Sequence, residues 1–308
     1  MPNIELRLGN DVLVIQGPMG TMLESQGFEG CLPFLNLTEP ESVEELHRRY
    51  RAAGADCAVT NTFMATSSRL AEHGLAAHTA QINAQGVRIA RSVGFPHVLA
   101  SVGPCGIDVE PGSGEAALRA QAPQVDESHL AQPAAPGYAV AVEQYAEQVG
   151  ALASAGPDAI LLETFTSLDD VLAAVEGARS ATDLPVIACM SFAAGDESPT
   201  PAQAARALTQ AGVAALGCNC IDVAACVAAL NEMREATNLP LVASPHAGIP
   251  VQNPKTGLTW PMRPQDFADA SVELLRAGAR LIGSCCGSTP ACTGAIFATV
   301  GGLVFPEA

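Results

Sequence analysis

Short apolar runs alternate with longer amphipathic segments along almost the whole chain. The first run, DVLVIQ (11–16), precedes a helical pattern at 40–53 in which apolar positions recur at three- and four-residue spacing. DCAVTNTF (56–63) precedes a helix near 77–94, and HVLASVG (97–103) one near 137–154. DAILLET (158–164), PVIACMSF (185–192), AALGCNC (214–220), LPLVASPH (239–246) and RLIGSCC (280–286) follow, each leading into another amphipathic stretch. Runs such as AILL and PVIAC are apolar without alternation, the pattern of parallel strands covered on both faces. Four of the helical segments end in Ala-Gly directly before the next apolar run, at Gly54, Gly156, Gly212 and Gly278, where glycine terminates a helix. Eight strand-then-helix units predict an α/β protein with the (β/α)8 TIM-barrel architecture, its functional groups at the C-terminal ends of the strands. An open doubly wound sheet is the structural alternative, but G-x-G-x-x-G is missing after the first strand.

No shift in composition marks a second domain, so residues 1–308 are read as a single barrel with one irregular insert at about 105–136. The insert is rich in Pro, Ala and Gly and is expected to form an extended loop over the barrel mouth. The tail AIFATVGGLVFPEA is apolar but broken by Gly301, Gly302 and Pro306, and is expected to dock on the body. The N-terminus lacks the basic-then-apolar order of a secretory signal, and no apolar run is long enough to span a bilayer. A formal net charge of −17 disfavours nucleic acid and anionic membranes as partners. The compartment expected is cytoplasmic, where ten cysteines stay mostly reduced and a cluster of them reads as a metal or catalytic site before it reads as disulfides.

The predicted strands sort those cysteines. Cys57 and Cys189 lie inside strands and Cys226 in a helix, where free cysteine behaves as a small buried hydrophobe. Cys31, Cys105 and Cys292 carry no functional pattern. Cys220 ends the sixth strand, and Cys285 and Cys286 end the eighth, one strand away in a closed barrel. Adjacent residues of an extended strand point to opposite faces, so both thiols reach one ion only if the chain turns sharply, which Gly283 and Gly287 permit. Three thiolates with an open fourth position describe a zinc site able to accept a substrate ligand. From spacing alone, chance placement and a vicinal disulfide stay open beside the metal. Cys218 competes with Cys220 but should lie deeper along the strand. Zinc deprotonates a bound thiol, and an all-thiolate site leaves the substrate sulfur electron-rich, which suits thiol alkylation better than hydrolysis.

GCNC (217–220) and GSCCG (283–287) are also the segments in which the chain resembles the homocysteine S-methyltransferase family of zinc-dependent (β/α)8 barrels. GPMGTML (17–23), LNLTEPESVEELHRRYRAAGAD (35–56), TNTFMATSSRLAEHGL (60–75), SVGPCG (101–106) and LLETF (161–165) are most similar to the N-terminal homocysteine-binding region of cobalamin-dependent methionine synthase. The resemblance implies that Cys220, Cys285 and Cys286 hold Zn2+ and that Glu163 contacts the amino group of homocysteine. Asn61 and Thr62, at the end of the second strand, are candidates for shaping the pocket. Besides Ser284, a small change from a glycine of the family motif, two positions depart from the family pattern. Gln16 stands where relatives carry an aspartate that helps hold the substrate, and His246 replaces the Asn of a P-N-A-G segment. A glutamine still hydrogen-bonds an ammonium but without a charge–charge term, and His246 has either the substrate carboxylate or its own loop as partner. The resemblance implies a methyltransferase that makes methionine, taking the methyl group from methylcobalamin on a separate corrinoid protein. The alternatives are a small sulfonium donor, S-methylmethionine or S-adenosylmethionine, a thiol other than homocysteine as acceptor, and a non-catalytic zinc-binding barrel.

Overall fold

The computed structural model describes residues 4–114, 118, 136–192, 199–253 and 257–303. Among these, eight parallel strands follow one another around a barrel: β1 (Leu13–Val14), β2 (Cys57–Val59), β3 (His97–Val102), β4 (Ala159–Phe165), β5 (Val186–Met190), β6 (Ala215–Asn219), β7 (Leu241–Ser244) and β8 (Ala279–Ile282). Hydrogen bonding runs in sequence order from β2 to β8, and β8 pairs with β1 through Leu13↔Leu281 and Val14↔Ile282. The ring closes between β1 and β2 through the parallel bridge Ile15↔Cys57. Asp56 reinforces that seam, its backbone N–H donating to Val14 O (2.8 Å) and its carboxylate accepting from Val14 N (3.0 Å).

The long helices are α1 (Pro40–Ala52), α2 (Thr79–Ser92), α3 (Pro136–Ala153), α4 (Leu168–Ala181), α5 (Pro201–Gln210), α6 (Val223–Arg234), α7 (Pro264–Arg276) and α8 (Pro290–Val300). Each follows the strand of the same number, as the periodicity predicts, with ends within a few residues of the expected ones. Gly54, Gly156, Gly212 and Gly278 all adopt positive φ where a helix gives way to a strand, a conformation that costs any other residue strain.

Strand residues divide by face into two cores. Leu13, Leu99, Leu161, Ile187, Ala215, Val242 and Leu281 fill the barrel, whereas Val14, Ala100, Ile160, Leu162, Ala188, Leu216 and Ala243 pack outward beneath the helices. Cys57 and Cys189 belong to the inner set and Cys226 to the outer one, in keeping with a packing role.

Three features lie outside the sequence reading. A seven-residue helix, Ile4–Asn10, puts Ile4 and Leu8 into the inner core and closes the N-terminal end of the barrel. It is too short for its periodicity to register. Short helices at Gly20–Glu24, Leu35–Thr38 and Ser67–Ala71 break up the connections after β1 and β2. A two-stranded antiparallel ribbon, Val251–Asn253 with Gly257–Thr259, rises after β7. Most of the expected mouth-covering insert lies outside the described residues. Its entry is tethered to the start of α4, where Asp169 accepts from Gly112 N (2.9 Å) and Gly114 N (2.7 Å). Of the tail, Leu303 accepts from Val12 N (3.3 Å), and residues 304–308 lie outside the described set. No helix among the described residues is long and apolar enough to cross a membrane.

The N-terminal plug should be worth a measurable part of the stability. Leu8→Ala is expected to cost about 2–5 kcal/mol in chemical denaturation, and Leu8→Met less than about 1.5 kcal/mol.

Candidate active site

At the C-terminal ends of the strands a cavity of about 460 Å3 opens, within the range of small-molecule sites. Its lining includes Ile15, Val59, Leu161 and Val242 at the floor, and Cys220, Cys285, Cys286 and Glu163 among its polar groups.

The geometry of Cys220 is not what strand alternation predicts. Along β6, Ala215 faces the barrel, Leu216 and Cys218 face the helices, and Asn219 lines the cavity. In that series Cys220 belongs outside with Cys218. It reaches the cavity because its backbone is left-handed, with φ of +58°, a conformation few non-glycine residues adopt. Thr164, at the end of β4, is likewise left-handed at +66°. Asn219 spans the two strained residues: its Oδ1 accepts from Thr164 N (2.9 Å) and its Nδ2 donates to Thr164 Oγ1 (2.8 Å), with Cys285 Sγ 3.9 Å away. Strain of this kind persists only where surrounding contacts over-determine it. Asn219 was readable as part of GCNC, but its bridging role was not. Cys218 is removed from the competition by its outward face, its sulfur 3.9 Å from Cys226 O beneath α6.

Cys285 and Cys286 follow β8 in a turn. Gly287 makes that turn with φ of +80° and also gives way to Trp260, since a Cβ there would lie 1.9 Å from the indole. Gly283 contributes differently: it has no positive φ but lets Ser244 Oγ and Ile15 approach, with a Cβ meeting them at 2.8 and 2.9 Å. The three sulfurs of Cys220, Cys285 and Cys286 lie within 4.8 Å of one another, Cys220 to Cys286 at 3.5 Å and Cys285 to Cys286 at 3.9 Å. Tetrahedral Zn–S bonds of about 2.3 Å separate sulfurs by about 3.8 Å, so the trio could hold such an ion as it stands. Hydrogen bonds from Cys285 and then Cys286 pull the Cys220 thiol well below the ordinary thiol range, and the same hydrogen bonds to Cys220 push theirs up. A bound cation is what would let all three thiols ionise.

Glu163, two residues beyond inward-facing Leu161, points into the same cavity. Burial raises its carboxyl to about 7, against a lowering hydrogen bond from Ser101 Oγ at 2.5 Å. Ser101 is itself fixed by Thr60 and Thr62: its N–H donates to Thr60 Oγ1 (2.9 Å) and its carbonyl accepts from Thr62 Oγ1 (2.7 Å). Neither Ser101 nor Thr60 was singled out by the sequence, although SVGPCG contains the serine. Asn61 lines the cavity, with its amide donating to Leu32 O (2.8 Å) and Asn36 Oδ1 (3.1 Å), which pins the 32–36 segment over β2. Gln16 also lines it, nearly fully buried, with its amide nitrogen directed at Val59 O (3.2 Å) and Gly17 O (3.4 Å). His246 is not brought into the cavity lining: its Nδ1 accepts from Gly248 N (3.0 Å), so its partner is its own loop.

A family model described as Homocysteine S-methyltransferase matches residues 13–300. Methionine synthase of Mycobacterium tuberculosis is 31% identical over 97% of this chain, which spans about a quarter (25%) of that relative's length. Homocysteine S-methyltransferase of Escherichia coli is 30% identical over 91% of this chain and 93% of its own. The crystal structure of the homocysteine methyltransferase MmuM from Escherichia coli, in a metallated form, superposes with a TM-score of 0.71 at 27% identity, covering 94% of this chain and 96% of that one.

The carboxyl of Glu163 gives a direct check on this geometry. In the metal-free protein it should titrate near pH 7, neutral below and ionised above, as read by carboxylate NMR. Ser101→Ala removes a hydrogen bond to the ionised form and should move the titration upward.

Proposed function

This chain belongs to the homocysteine S-methyltransferase family, and from that premise we propose that it methylates the thiol of homocysteine to give methionine, with Zn2+ held by Cys220, Cys285 and Cys286. The observation that carries the reading is the convergence of three cysteine sulfurs within 4.8 Å in the cavity that Glu163 also lines. When bound, the ion would let a substrate thiol ionise near neutral pH and leave a fourth position for its sulfur.

The chain's own residues supply the rest. Glu163, ionised above about pH 7, takes the acceptor's ammonium, and the hydrogen bond from Ser101 fixes which carboxylate oxygen faces it. Asn219 holds the strained Thr164 through its side chain, and Ser244 O holds the N–H of the strained Cys220, which keeps the ammonium and sulfur ends of the site in register. Apolar walls from Ile15, Val59, Leu161 and Val242 keep water from the reacting sulfur. The deprotonated sulfur attacks the methyl carbon in line. An S–C bond forms as the donor–methyl bond breaks, and the bonding pair leaves with the donor. Holding the sulfur at the right distance and angle can account for several kcal/mol of the barrier.

The donor we assign is a methyl-corrinoid carried by a separate protein that meets the barrel mouth. The match to methionine synthase across 97% of the chain supports it. A cavity of about 460 Å3 also leaves room beyond the acceptor for a small sulfonium such as S-methylmethionine or S-adenosylmethionine, which is the second reading.

Metal analysis and a transfer assay test the assignment together. Wild-type protein should carry about one zinc per chain, and Cys220→Ala and Cys286→Ala should each lose it along with more than about a hundredfold of the activity. Stoichiometric zinc in both variants would overturn the ligand set. Homocysteine offered with methylcobalamin, S-methylmethionine or S-adenosylmethionine identifies the donor by which one yields methionine.

A further inference from the structure

His47 lies in α1, fully buried behind β1, and no family motif used above assigns it a part. Its Nδ1 is 2.9 Å from Gln16 Oε1. The direction of that hydrogen bond follows from the other end of the glutamine. Val59 O and Gly17 O can only accept, so the amide must turn its nitrogen to them and its oxygen to the ring. The oxygen in turn requires a proton on Nδ1. Burial pushes the ring's pKa down to about 3, so it is neutral and carries one proton only. With that proton on Nδ1, Nε2 is a bare acceptor, and it has no hydrogen-bond partner among the described residues. Phe95 packs edge-on against the imidazole, with centroids 6.1 Å apart at 81°. Leaving a buried polar atom unpartnered is unfavourable, so the contact to Gln16 is kept against a penalty.

An amide in a binding wall is ambivalent. Turned one way it offers a carbonyl oxygen to a cation, and turned the other it offers N–H groups that repel one. Gln16 Oε1 has two lone pairs, of which His47 takes one. We propose that His47 is a positioning residue for the acceptor: its Nδ1–H fixes the Gln16 amide so that the remaining Oε1 lone pair accepts from the acceptor's ammonium beside Glu163. This rests on the reading that an amino-acid thiol binds in the cavity. The neutral pair performs by orientation what a carboxylate at position 16 would perform by charge, and His47 contacts no substrate itself.

Two substitutions separate positioning from packing. His47→Leu fills the space without a donor, whereas His47→Asn places an amide N–H near the position of Nδ1–H. His47→Leu should raise the KM for homocysteine about tenfold, leave kcat within about threefold and keep zinc stoichiometric; His47→Asn should bring KM back to within about threefold of wild type. With 4-mercaptobutyrate, which keeps the thiol and carboxylate but lacks the amine, His47→Leu should leave KM unchanged. In 15N spectra of histidine-labelled protein, the signal lost in His47→Asn should be that of a neutral ring protonated on Nδ1. A proton on Nε2 instead, an unchanged homocysteine KM in His47→Leu, or equal losses in the two variants would overturn the proposal. Absence of turnover of homocysteine by wild-type protein with every donor would instead sink the functional reading and the ammonium contact with it, while the 15N spectrum still decides the orientation of the pair.

Discussion

Two consecutive backbone carbonyls hold the cysteine cluster together. Ser244 O accepts from Cys220 N (3.0 Å) and Pro245 O accepts from Cys285 N (2.8 Å), while Ala247 N donates back to Cys286 O (2.9 Å). The end of β7 is therefore a template on which segments 66 residues apart in sequence are set side by side. Barrel order makes this possible, because β7 lies between β6 and β8 and its C-terminal loop can reach both. The sulfurs converge on a main chain that these hydrogen bonds hold in place. An ion would enter a site whose ligands are already assembled, with little of the ordering cost that loop-borne ligands incur.

The architecture was legible from sequence because each unit announces itself locally. A parallel strand buried on both faces reads as an uninterrupted apolar run, and the Ala-Gly endings mark where four of the helices stop. The site was legible only in part. Residue types and strand ends placed Cys220, Cys285, Cys286 and Glu163 at one rim, but the rule of alternation would turn Cys220 outward. Its left-handed backbone is held by the hydrogen bond of its N–H to Ser244 O, a tertiary contact that no local pattern encodes. Gln16 and His246 show the same limit from the other side. Each is a candidate substrate contact by its position in a family motif, yet the partners of each are decided by neighbours: α1 and β2 for Gln16, a two-residue turn for His246. The plug at Ile4–Asn10 escaped for a simpler reason, since two turns of helix carry too little periodicity to separate from noise.

The cavity lining carries Glu24, Arg69, Glu72 and Glu163 beside neutral polar groups such as Asn219, Thr164, Ser101, Thr60, Asn61 and Gln16. Burial holds the carboxyl of Glu163 close to neutrality. A trithiolate centre would already bear excess negative charge, so a second ionised carboxylate on the wall would raise the cost of assembling it. A glutamine at position 16 avoids that cost while keeping an oxygen in place.

Closure of the barrel by Ile4 and Leu8 has a consequence for traffic. With its far end stoppered and its interior filled by Leu13, Leu99 and Leu281, the cavity is a well that opens at the C-terminal ends of the strands. Under the proposed function, an acceptor bound at the cysteines would sit below its donor, so that it would arrive first and the spent donor would depart before the methylated product, an order of events set by plumbing and independent of the affinity of either partner.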